Sequence, residues 1–158
     1  FGYLLSVTGI GAVTGTIISS SLQSSHWLGR AMLFSAIIFC GFVYLFAIVC
    51  WADHESAFYQ ALATIFTASI FSSIFMVTST SIMQLEVPDN LRGRVMGFHA
   101  ITYNVLPLGA LFTGAIANWS NPSAALSIST TIVLVYLLWI VSTQRDLLNL
   151  DGKKLTGG

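Results

Sequence analysis

Hydrophobic residues run through this chain in long unbroken stretches, interrupted by short polar clusters. Stretches without Asp, Glu, Lys or Arg occupy 1–29, 31–52, 56–85 and 95–144, and about 20 apolar residues suffice for a helix to cross a bilayer. The first three stretches span once each, and the last, 50 residues long, divides at Trp119-Ser120-Asn121-Pro122-Ser123. Pro122 there suits the first turn of a new helix and Asn121 suits its cap. The pattern predicts an all-α membrane protein with five transmembrane helices over about 1–22, 31–52, 57–85, 96–118 and 123–143, followed by a tail over 144–158. A β-barrel is excluded, because its strands alternate lipid-facing and lumen-facing residues and no such alternation occurs.

The spans differ in polarity. Span two holds one Ser, Thr, Asn or Gln residue, Ser35, which predicts a lipid-facing helix. Span three holds eleven such residues in 57–85, costly against lipid but favourable beside protein or water, which predicts a helix lining a cavity or an interface. Span one carries Gly11-xxx-Gly15-xxx-Ser19. Span four carries Gly109-xxx-Thr113-xxx-Ala117 beside Ala110-xxx-Gly114, and both motifs place small residues on one face for close helix contact. Span five, apolar from Ile132 to Val141, reads as peripheral.

Composition agrees with this picture: 55% of residues are hydrophobic and 8% charged, against about 25% charged in soluble domains. The chain opens on Phe1 without a signal-peptide pattern, which predicts a natural start upstream and hence a fragment. Net charge is zero without a basic run, so nucleic acid is not an expected partner; the lipid bilayer is. Arg30, Arg92, Arg94, Arg145, Lys153 and Lys154 all fall on one side of the five-span arrangement. The positive-inside rule makes that side the cytoplasm, with the carboxyl terminus inside and Asp53-His54-Glu55 outside. Trp27, Trp51, Trp119 and Trp139 lie near span ends, as indole prefers.

Little catalytic chemistry is present. Cys40 and Cys50 lie about 15 Å apart along one helix by its rise, too far to bridge, and read as apolar filler. No His-Glu-x-x-His, Gly-x-Ser-x-Gly or intramembrane aspartate pair occurs, so an enzyme is not expected, and neither is a metal or cofactor. No span contains an ionisable carboxylate, the usual proton-coupling group of transporters. His99 reads as interfacial packing; His26 and His54 are loop residues.

The most specific segment is Glu86-Val87-Pro88-Asp89-Asn90-Leu91-Arg92-Gly93-Arg94-Val95-Met96-Gly97. Pro88 ends span three or starts a short helix, Asp89 can cap it three residues before Arg92, and the glycines permit close backbone approach. This segment resembles the P-x-x-x-R-G-R-x-x-G pattern between the tenth and eleventh helices of the major facilitator superfamily, matched by Pro88, Arg92, Gly93, Arg94 and Gly97. Gln84-Leu85-Glu86-Val87-Pro88, with Pro107-Leu108-Gly109 and Gly114, is similar to the branch containing the enterobactin exporter and macrolide-efflux-like proteins. The loop after span one matches the family signature only at Gly29 and Arg30, and its Asp is missing.

That resemblance implies helices eight to twelve of a twelve-helix fold, an absent amino-terminal half as partner, and export of a small drug-like or siderophore-like molecule across a bacterial inner membrane by alternating access. Any proton coupling would then lie in the other half. Arg92 and Arg94, with Pro88, Asp89, Gly93, Gly97, Gly29 and Arg30, form the implied cytoplasmic gate; anchoring to lipid phosphate is the plainer role for the arginines. Thr64, Thr67, Phe71 and Phe75 at helical spacing, with Asn104, are the candidate substrate surface. Pro107 frees a carbonyl in span four and predicts a kink, static or used in rocking. The alternative to transport is a structural or assembly subunit of the membrane.

Overall fold

The computed structural model describes residues 2–22, 28–51 and 57–143. Six helices follow in order: α1 (Gly2–Leu22), α2 (Leu28–Trp51), α3 (Ala57–Glu86), α4 (Asp89–Asn104), α5 (Leu106–Trp119) and α6 (Pro122–Thr143). Together α4 and α5 make one interrupted span, so five helical segments are long and apolar enough to cross a membrane. No strand occurs among the described residues. His26, Trp27, Asp53, His54, Glu55 and the tail over 144–158 lie outside the described residues.

The bundle is organised around α3, which packs along α1 on one side and α2 on the other, while α2 also supports α6 and α6 supports α5. The α1–α3 seam follows from residue size. A methyl group placed on Gly11 would stand 2.7 Å from the Phe66 carbonyl oxygen and 2.9 Å from Ser69 Cβ, and one on Gly15 would collide with the Ile70 carbonyl. At the far end of the seam, the fully buried Ser19 and Thr78 bring their hydroxyl oxygens to 3.4 Å. The small-residue repeat of α1 thus meets the backbone of α3 directly, the contact such spacing allows. Much of the hydroxyl-rich character of α3 belongs to this seam, since Ser69, Ser73 and Thr78 all lie on it.

Helix α2 departs from the lipid-facing expectation. Its Gly29, Leu33, Ala36, Cys40 and Ala47 are buried at spacings of three, four or seven residues, and this stripe of mostly small side chains packs between α3 and α6. The opposite face, with Phe34, Tyr44, Leu45 and Ile48, is exposed. Apolarity alone does not separate the two faces, because lipid tails are as apolar as leucine and confer no hydrophobic drive for helix association. Conversely, α4 and α5 contribute no buried residue. The contact of α5 with α6 includes the Thr113–Ser129 hydroxyl pair at 3.2 Å, and Gly109 and Gly114 face open space.

The helix leading into the fourth span starts before residue 96. Helix α4 starts at Asp89, with Pro88 in extended geometry (φ −56°, ψ 147°) as its cap. The Pro88 carbonyl accepts from the amides of Leu91 (2.9 Å) and Arg92 (3.1 Å). Asp89 is therefore in the first turn rather than at the cap and makes no capping bond. The helix breaks at Val105, after which Pro107 sits in the first turn of α5, a position where its missing amide hydrogen costs no helical bond.

Candidate functional site: the α3–α4 corner and the face of α3

The turn from α3 to α4 concentrates the described charges. The Arg92 guanidinium lies 3.0 Å from the Asp89 carboxylate through one amino group and donates at 3.2 Å to the Gln84 carbonyl through the other. The second contact satisfies a carbonyl in the last turn of α3, which lacks an intrahelical partner, and places positive charge at that helix's negative end. Arg92 thereby ties two helices together across Pro88. The groups are half to fully exposed, with relative accessibilities of 51% for Arg92 and 89% for Asp89, so the ion pair contributes at most about 1 kcal/mol; its effect is to fix geometry.

Arg94 differs. It is exposed, and among the described residues it makes no hydrogen bond or ion pair. A methyl group placed on Gly93 or on Gly97 would meet nothing within 4 Å. The corner thus presents a free guanidinium beside bare backbone, while its other arginine is committed internally. Gly29 is buried near the start of α2 and Arg30 beside it is half-buried. Neither shows a described contact with the Arg92 pair.

The residues expected to form a substrate surface do not converge on one cavity. Thr64 donates to the Gln60 carbonyl (2.8 Å) and Thr67 to the Ala63 carbonyl (2.9 Å). Phe71 stacks on Phe42 of α2, with centroids 6.3 Å apart and rings inclined by 9°, and Phe75 is exposed. Asn104 donates to the Ala100 carbonyl at 2.9 Å on the exposed α4, one residue from Tyr103, whose ring meets His99 edge-on at 5.1 Å. None of these five lines either of two clefts that reach α6. One cleft, of about 780 Å³, lies between α5 and α6 and is walled by Gly109, Ala110, Thr113, Ala125 and Ser129 among others. The other, of about 340 Å³, lies where α1, α2, α3 and α6 converge. Sequence reasoning missed this second space; the hydroxyls on its wall were visible, but not their direction.

The model of the Major Facilitator Superfamily matches residues 1–155. This chain belongs to the major facilitator superfamily. It is an all-α, multi-pass membrane protein of a transporter family, which accounts for its five long apolar helical segments. No curated protein and no solved structure matches the chain.

Proposed function

We propose that the chain forms helices eight to twelve of a twelve-helix exporter of the bacterial cytoplasmic membrane, moving a small amphipathic, drug-like or siderophore-like molecule by alternating access. In this reading the α3–α4 corner is part of the cytoplasmic gate, and the face of α3 bearing Thr64, Thr67, Phe71 and Phe75, with Asn104 on α4, borders the substrate path. The observation that carries it is the division of labour between the two arginines. Arg92 holds α3 and α4 in fixed relation, while Arg94, beside the open Gly93 and Gly97, is free to meet an anionic or carbonyl partner on the opposing half.

Transport assays on the intact protein test this. Arg94→Ala reduces transport by at least tenfold at unchanged expression, and Arg94→Lys restores little of it, because an ammonium cannot reproduce a guanidinium's two-pronged pairing. Full activity in Arg94→Lys would assign the residue to lipid anchoring instead.

A further inference from the structure

The space of about 340 Å³ at the convergence of α1, α2, α3 and α6 lies beside Thr8 and Ala12 of α1 and Ile65, Ala68, Ser69, Ser72 and Ser73 of α3. Its wall is mostly apolar, formed by Phe39, Val43, Phe46 and Ile65, but it also carries Ser72 and Ser73. Serine and threonine in apolar helices usually spend their hydroxyl on a carbonyl of the preceding turn. Around this space that rule holds for Thr8, which donates to Leu4 at 2.7 Å, and for Ser69, which donates to Ile65 at 2.7 Å. Ser72 and Ser73 have no such bond, and no other described residue takes up either hydroxyl.

Neither hydroxyl is sealed away, since no buried side-chain oxygen among the described residues lacks a hydrogen-bond partner; both are open to bond a guest in the space they line. The volume lies near the lower end of the roughly 300–1,000 Å³ of ligand pockets, and an apolar lining with a few convergent polar groups is their usual composition. We propose that this space binds a small amphipathic molecule, its apolar body against the α2 aromatics and its single hydrogen-bonding head on Ser72 and Ser73. A phospholipid tail fits less well: its polar groups stay at the interface, whereas these hydroxyls lie near the middle of α3. The site is separate from the α3 face assigned to the substrate path, so it is a binding site in its own right, independent of export.

The probe is a diazirine-bearing octanol, irradiated with the intact protein in lipid nanodiscs, with adducts mapped by mass spectrometry. Adducts are expected on the segments carrying Ile65–Ser73 and Phe39–Phe46, and excess unlabelled octanol should compete with them. Ser72→Ala/Ser73→Ala removes only two oxygens, and at subsaturating probe it should lower that yield about tenfold. Labelling of the exposed α6 face at Val135 and Trp139 should persist in the same sample. The proposal fails if labelling at α3 is no denser than on that α6 face, if octanol does not compete, or if the double variant labels as well as the parent. Water as the sole occupant would give the first of these results.

Discussion

Replacing either seam glycine of α1 with alanine tests the packing account most directly. At Gly11 the new methyl would meet the Phe66 carbonyl oxygen at 2.7 Å against the 3.4 Å at which ordinary contact begins, so the two backbones must part by about 0.7 Å. A radial gap of roughly 0.5–1 Å forfeits a quarter to a half of each atom pair's attraction, and pairs contribute about 0.1–0.2 kcal/mol apiece. A seam with as many pairs as one buried leucine, roughly 40–60, then loses roughly 1–6 kcal/mol. Overpacked cores lose about 1–3 kcal/mol, which places Gly11→Ala near 2. Parting the helices also stretches the Ser19–Thr78 contact beyond its 3.4 Å, a further loss of about 0.6 kcal/mol for an interhelical bond in a membrane. Gly15→Ala should cost more, because the Ile70 carbonyl stands closer still. Gly9→Ala is the control: nothing lies within 4 Å of it, and alanine in a helix gains up to about 1 kcal/mol over glycine. Unfolding of the intact protein in mixed micelles titrated with sodium dodecyl sulfate measures all three. Gly11→Ala and Gly15→Ala within about 0.5 kcal/mol of Gly9→Ala would refute the close seam.

Two further outcomes follow from contacts and charge. Phe42→Ala and Phe71→Ala should be non-additive in the same unfolding assay, with a coupling of about 0.5–1.5 kcal/mol from their stacking; strict additivity would mean the rings do not meet. Reporter fusions after residues 28, 90 and 150 should read cytoplasm and those after 54 and 120 exterior, and one reversed loop would overturn the proposed orientation.

What was legible in the sequence was what period and composition encode. The helical class, the number of spans and the close face of α1 all follow from runs of apolar residues and from glycines four apart. The partners of each face were not legible, because in a membrane both lipid and protein neighbours are apolar. Richness in Phe, Leu and Ile therefore points α2 toward lipid, whereas its Gly29–Ala36–Cys40–Ala47 stripe is what packs against protein. The hydroxyls of α3 mark a helix set against protein, as expected, but do not separate interface from cavity: several mark the α1 seam or bond to their own helix. At the α3–α4 corner, the spacing of Asp89 and Arg92 points to their ion pair, but the reach of Arg92 back to a main-chain oxygen eight residues earlier depends on the turn at Pro88 and has no sequence signature.

The break at Val105 bears on how the fourth span enters the bilayer during synthesis. Helix α5 has 14 residues, about 21 Å of rise, short of the roughly 30 Å hydrocarbon thickness. To cross, the span must draw in the last turns of α4, which bring His99, Thr102 and Asn104 with them. Thr102 and Asn104 bond to carbonyls of their own helix, which lowers the cost of those two groups but leaves the segment a weak candidate for insertion by itself. Helix α6 follows after only Ser120 and Asn121, is more apolar than the fourth span taken whole, and offers Ser129 to Thr113. Entering as a hairpin, the two would close that hydroxyl pair as they cross.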